Sequence, residues 1–194
     1  MPRAFTGEVS LLSRARSCYP LAMTTAGGKP STSTVMDLAR TEPRTLISML
    51  LATFFGAGFS PKAPGTVGTL AALPLYLALR RLSLPLYLAF AAKLFLAGAV
   101  ASAEMERIWG RDPSRVVIDE VVGLLVALVS RPGRITEILV GTALFRFFDI
   151  LKPPPVGILD KRLKGGIGVM ADDVAAGLLA AAALALVRRK GWLA

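Results

Sequence analysis

The stretch Phe145-Arg-Phe-Phe-Asp-Ile-Leu-Lys-Pro-Pro-Pro155 closes an apolar segment, and its reading decides how the chain folds. Arg146, Asp149 and Lys152 recur at spacings of three. On a helix that spacing sets them on one face, each a turn from the next. The prolines beyond cannot donate a backbone hydrogen bond and clash with the preceding turn, so the helix must stop there. A charged stripe is thus held at the end of a greasy helix by a rigid stop. Taken alone, such a stripe also fits an ion-paired helix end. The segments on either side decide between the two readings.

Of the 194 residues, 54% are hydrophobic, and the mean hydropathy is +0.58. That length suits one domain, with or without a tail, and so apolar a chain makes a membrane its first expected partner. The net charge of +10 then matches anionic lipid or a phosphorylated substrate. Nucleic acid is not expected, because no basic run is interleaved with aromatics. Histidine is absent, which excludes an imidazole base, an imidazole metal site and a phosphohistidine. The single cysteine, Cys18, has no partner for an internal disulfide and no arginine six positions on, as a phosphate-binding cysteine loop requires. Any catalysis must rest on carboxylates, Lys and Arg, hydroxyls, backbone amides and metal ions.

Residues 1–44 are rich in Ser, Thr, Gly, Pro and Arg without apolar period, and read as a disordered tail. The alternative is a start placed too far upstream, with Met23 or Met36 as the true beginning. From Thr45 the chain is apolar and breaks into about six segments, roughly 46–59, 68–79, 84–103, 116–129, 135–151 and 169–187. Ala, Leu and Gly dominate them, so the expected fold is all-α: a compact antiparallel bundle of about six apolar helices, embedded in or associated with a membrane. Several segments are shorter than the roughly 20 residues that cross a bilayer. This favours a small polytopic protein with short, tilted or re-entrant helices over a bundle dipping into one leaflet. Val187 is followed by Arg188-Arg-Lys190, like a span ending at a basic interface.

If short connections make the helices alternate in direction, ends of odd helices and starts of even ones share one rim. That rim would collect the turn Ser60-Pro-Lys-Ala-Pro-Gly-Thr66, Asp119 and Glu120, Arg146, Asp149 and Lys152, and Asp172 and Asp173 at the start of the sixth helix. A carboxylate pair inside a run such as Val116-Val-Ile-Asp-Glu-Val-Val122 is costly unless paired or bound to a cation. One of Asp172 and Asp173 could cap a helix, but a cap needs only one residue. Five carboxylates without histidine or thiolate suit Mg²⁺. Lys62, Thr66 and the glycine turn Gly165-Gly-Ile-Gly168, with Lys161, Arg162 and Lys164 nearby, form an anion side. Acids for a metal beside cations and amides for a phosphate are what metal-assisted phosphoryl chemistry needs.

The chain resembles the bacterial phosphatidylglycerophosphatase A family. The resemblance rests on Gly58-Phe-Ser-Pro-Lys-Ala-Pro-Gly-Thr-Val-Gly-Thr69, Ile118-Asp-Glu-Val-Val-Gly123, Phe145 to Val156, and Gly165-Gly-Ile-Gly-Val-Met-Ala-Asp-Asp-Val-Ala-Ala-Gly177, in that order. It implies a Mg²⁺-dependent phosphatase of the inner membrane, acting on phosphatidylglycerophosphate in the last step of phosphatidylglycerol synthesis, with its rim facing the cytoplasm. By matching positions it implies Asp119, Glu120, Asp149, Asp172 and Asp173 as catalytic residues, with Asp119, Glu120, Asp149 and Asp173 on the metal. Lys62, Thr66, Arg146, Lys152, Gly165 and Gly166 would contact phosphate. The tail before Thr45 lies outside the resemblance. A phosphatase of the same fold for a soluble phosphomonoester is the alternative. The Asp-x-x-Asp-Gly-x-x-Ala-Arg signature of CDP-alcohol phosphotransferases is absent. A cation transporter would need acids at several membrane depths rather than gathered at segment ends.

Overall fold

A computed structural model describes residues 42–110, 113–154, 156–158 and 165–192. The expected tail, with Cys18, Met23 and Met36, lies outside the described residues, as do Lys161, Arg162 and Lys164. Among the described residues the secondary structure is helical throughout, with no strand. In chain order the elements are α1 (Pro43–Ala52), a 3₁₀ turn (Ala57–Phe59), α2 (Pro64–Leu79), α3 (Leu84–Trp109), α4 (Ile118–Ala127), α5 (Ile135–Leu151) and α6 (Gly165–Arg189).

Local chemistry sets the boundaries. Proline stands in the first turn of α1, α2 and α3, where its missing amide costs nothing. The first apolar segment was expected to stay helical to Phe59, but it breaks after Ala52. Phe54 and Phe55 adopt left-handed backbone at φ 44 and 55. The Thr53 hydroxyl donates to the Met49 carbonyl at 2.7 Å and accepts from the Gly56 amide at 3.2 Å, holding that turn. α5 ends where its prolines require. Lys152, just ahead of Pro153, leaves the helix in left-handed backbone at φ 45.

α6 is the central helix and packs on α3, α4 and α5, while α1 lies on α3 and α2 on α4. The α4–α6 crossing is very close. A Cβ added to Gly177 would fall 2.5 Å from the Gly123 carbonyl oxygen, and one added to Gly123 would fall 2.9 Å from that of Asp173. Only residues without a side chain let two helix backbones approach so nearly. Tyr76, Tyr87, Met105, Ile118, Leu124, Phe145, Met170 and Leu184 fill the core. The buried tyrosine hydroxyls are satisfied by backbone carbonyls: Tyr87 donates to Leu125 at 2.7 Å and Tyr76 to Pro132 at 2.8 Å.

The helices alternate as expected. The Val117 amide donates to the Ala52 carbonyl at 2.8 Å, joining the end of α1 to the start of α4. At the opposite rim Arg80 reaches the Pro132 and Gly133 carbonyls, joining the end of α2 to the turn after α4. α3 and α6 each hold an 18-residue stretch of mean hydropathy 1.8 and are long and apolar enough to cross a membrane, whereas α1 and α2 are apolar but shorter. At 1.5 Å per residue α3 and α6 are about 39 and 37 Å long, more than the roughly 30 Å of bilayer hydrocarbon. Leu70, Leu88, Leu96, Val100, Leu139, Leu178 and Leu186 are exposed on the flanks of the bundle. So much outward apolar surface suits lipid rather than water.

Candidate active site

The crossing of α4 and α6 builds the acidic centre. Asp119 stands four residues ahead of Gly123, and Asp173 four residues ahead of Gly177. Each acid is therefore one turn before the crossing glycine of its own helix, on the same face. The close approach of the two backbones brings them together. Asp119, Glu120 and Asp173 each offer a carboxylate oxygen within 4.8 Å of the other two. Glu120 Oε2 and Asp173 Oδ2 are buried and have no hydrogen-bond partner, and Asp173 is only 4% exposed. The Glu120 amide donates to Asp119 Oδ1 at 3.1 Å.

Three carboxylates this close repel one another unless a proton or cation lies between them. Burial, reinforced by the Glu120 and Asp173 carboxylates, pushes the Asp119 carboxyl well above the usual carboxylate range. Burial raises Glu120 too, against the opposing pull of a hydrogen bond from Asp119 and the charge of Arg146. Orphaned buried oxygens in an all-oxygen donor set fit a hard divalent cation such as Mg²⁺.

Around this centre the other sequence-predicted residues divide into groups. Arg146 Nη1 donates to Asp149 Oδ2 and stands 3.7 Å from Glu120 Oε1, so it bridges α5 to the cluster. Asp149 lies within electrostatic reach of Glu120 and Asp173 but outside the close trio. Lys152 Nζ donates to Asp172 Oδ2 at 2.8 Å, pinning the end of α5 to α6. Asp172 and Asp173 were expected at the start of the sixth helix. α6 instead begins at Gly165, so both are buried two turns inside it and neither can be its cap. The glycine turn expected ahead of that helix is its first turn. Gly166 is buried, and a Cβ there would fall 1.8 Å from the Ala99 carbonyl oxygen. Close packing against α3 is thus a use for this glycine that its sequence context did not show. Gly165 is exposed at φ +72.

Lys62 and Thr66 are exposed around the start of α2, where the Ser60 hydroxyl donates to the Lys62 carbonyl at 2.9 Å. Between them lies a residue that sequence reasoning passed over. A Cβ on Gly65 would fall 2.1 Å from Glu120 Oε1 and 3.2 Å from Arg146 Nη2. The first turn of α2, with its amides lacking helical partners, is thus pressed against the acidic cluster. The Pro64-Gly65 pair at a helix start was the available signal, because a glycine there leaves room for a neighbouring group to press on the backbone.

The family model for phosphatidylglycerophosphatase A matches residues 50–188. The chain is 42% identical over 157 residues to a candidate phosphatidylinositol-3-phosphatase of Bacteroides thetaiotaomicron, covering 74% of this chain and 95% of that one. It is 41% identical over 134 residues to phosphatidylglycerophosphatase A of Haemophilus influenzae, covering 68% and 82%. With phosphatidylglycerophosphatase A of Escherichia coli the identity is 34% over 137 residues, covering 70% and 80%. No solved structure matches the chain. The matched span holds every helix whose residues meet at the acidic centre, and on that ground the chain belongs to the phosphatidylglycerophosphatase A family.

Proposed function

We propose that the chain hydrolyses the phosphomonoester of phosphatidylglycerophosphate, giving phosphatidylglycerol and inorganic phosphate as the last step of phosphatidylglycerol synthesis. The observation that carries this reading is the trio Asp119, Glu120 and Asp173, with two buried unpartnered oxygens, beside Gly65 and Arg146. The names of the Haemophilus and Escherichia relatives support the substrate. Asp119, Glu120 and Asp173 would hold Mg²⁺, with Asp149 as a fourth carboxylate within reach. When bound there, Mg²⁺ neutralises phosphate oxygens and makes a water more acidic.

The chain's own residues do the rest. The first-turn amides of α2 and the Arg146 guanidinium face charge gathering on the phosphoryl oxygens as the ester bond to the lipid glycerol breaks. Lys62, Thr66 and Lys152 extend that positive side. A carboxylate of the cluster accepts a proton from the attacking water, and a proton returns to the glycerol oxygen as its bond to phosphorus breaks. The exposed apolar flanks hold the lipid tails at the level of the bilayer. We assign the chain to the bacterial inner membrane, with the acidic rim towards the cytoplasm.

A second reading has a specific support. The Bacteroides relative carries a name for a different lipid phosphomonoester, phosphatidylinositol 3-phosphate. One assay separates the readings. Purified protein is given phosphatidylglycerophosphate, phosphatidylinositol 3-phosphate or water-soluble glycerol 3-phosphate, with Mg²⁺ or with EDTA, and phosphate release is measured. Fastest turnover of phosphatidylglycerophosphate, lost in EDTA, is expected. Preference for the inositol lipid would install the second reading. Equal rates on the soluble ester would remove lipid recognition altogether.

A further inference from the structure

We infer that the rim opposite the acidic centre is a second lipid site, which binds the phosphate headgroups of anionic phospholipids without processing them. Three segments meet there: the turn after α2, the turn between α4 and α5, and the end of α6. Among the described residues these carry Arg80, Arg81, Arg131, Arg134, Arg188, Arg189 and Lys190 against the single carboxylate of Glu137. Three of the arginines hold the segments together, largely through uncharged partners. Arg80 donates to the carbonyls of Pro132 and Gly133 at 3.3 and 3.1 Å. Arg131 donates to the Leu82 carbonyl at 2.5 Å. Arg188 donates to the Ser130 hydroxyl at 3.2 Å and pairs with Glu137 at 3.2 Å.

A carbonyl satisfies a guanidinium's hydrogen bonds but leaves its charge in place. The rim is therefore a fixed concentration of positive charge. Arg81, Arg189 and Lys190 stand exposed around it.

Depth and aromatic placement give the surface its partner. From Asp173 to Arg189 α6 rises about 24 Å, at 1.5 Å per residue, so the two rims are separated by most of the hydrocarbon thickness of a bilayer. The flanks between them are apolar. When the acidic centre lies at one headgroup layer, the arginine rim comes within about 6 Å of the other, a gap that long Arg and Lys side chains bridge by extending to the interface. Trp192 is 70% exposed just past α6, with Lys190 Nζ 5.0 Å from its ring centroid. An exposed tryptophan with basic neighbours at the end of an apolar helix is the arrangement that sits among headgroups. An anionic phospholipid supplies both the charge this rim lacks and the apolar neighbour its flanks require.

The test uses the full chain in nanodiscs and reads Trp192 fluorescence, since the other tryptophan, Trp109, is buried. The probes are brominated phosphatidylserine and brominated phosphatidylcholine at equal mole fraction, and Trp192→Phe identifies the signal. With several basic residues near the surface, the serine lipid should be enriched about twofold or more over the choline lipid at low salt, and the excess should shrink in 1 M NaCl. The triple substitution Arg81→Gln, Arg189→Gln and Lys190→Gln, all at exposed positions, should bring the two lipids to equal quenching. Equal quenching by the two lipids in the unsubstituted protein overturns the proposal. So does an excess indifferent to salt, or one untouched by the triple substitution. Phosphatidylserine is neither substrate nor product of the proposed reaction, so this result stands apart from the phosphate-release assay.

Discussion

The two ends of the bundle treat arginine in opposite ways. At the acidic rim Arg146 lies among carboxylates, donating to Asp149 and standing near Glu120. At the other rim Arg80 and Arg131 end on backbone carbonyls, while Arg188 pairs with Glu137. The first arrangement cancels charge and still leaves Glu120 Oε2 and Asp173 Oδ2 without partners. The second satisfies hydrogen bonds and leaves charge uncancelled. On the readings proposed above, one end calls for a cation and the other for an anion. A charge excess is informative only after its hydrogen bonds have been accounted for, because the two kinds of deficit call for different ligands.

The largest effect should come from removing a carboxylate of the trio. Asp173→Asn is expected to lower phosphate release about 10³-fold, with far-ultraviolet circular dichroism unchanged, and EDTA should do the same to the unsubstituted protein. Near-normal turnover of the Asn variant with Mg²⁺ would remove Asp173 from the metal.

Gly65→Ala is next. Its new methyl group meets the tips of Glu120 and Arg146 rather than backbone, so it should displace the cluster more than the fold. A misplacement of this size costs about 10²-fold in turnover. Gly177→Ala is the counterpart, since its methyl meets a carbonyl oxygen and should cost about 1–3 kcal/mol of stability by overpacking. Paired kinetics and thermal melts on the two variants separate the roles. If Gly65→Ala lowered only the melting temperature, the first turn of α2 would belong to packing.

The carboxylate crowding predicts a pH dependence with a definite sign. Asp119 and Glu120 have raised pKa values in the fold. Between the unfolded carboxylate value of about 4 and the raised folded values, the folded state binds more protons than the unfolded. Metal-free protein should therefore lose stability as pH rises through that interval. Mg²⁺ should restore it, and restore most at the highest pH. Melts at a series of pH values, with EDTA and with Mg²⁺, measure this directly. A metal-free protein that gained stability with rising pH would mean the acids are satisfied without a cation.

The smallest effect separates the rims by substitution of arginine itself. Arg146→Gln should impair turnover. Arg80→Gln should leave turnover intact and cost about 1 kcal/mol of stability from the lost hydrogen bonds to Pro132 and Gly133. Impaired turnover in the Arg80 variant would couple the two ends.

Much of this molecule was legible in its sequence because the relevant signals are local. Apolar segments rich in Ala and Leu specify helices by propensity, prolines mark where they begin and stop, and short connections force them to alternate. Alternation alone brings Asp119, Glu120, Arg146, Asp149 and Asp173 towards one rim. What the sequence could not decide were distances across helices. Gly166 reads as a phosphate turn until it is seen against the Ala99 carbonyl, and Gly65 reads as a loop residue until it is seen against Glu120. Asp172 and Asp173 look alike as neighbours, yet one meets Lys152 and the other joins the trio. Adjacent residues on a helix point about 100° apart, so which of two acids faces a partner depends on how closely the helices cross. That depth is set at Gly123 and Gly177 by the contact of two backbones distant in sequence.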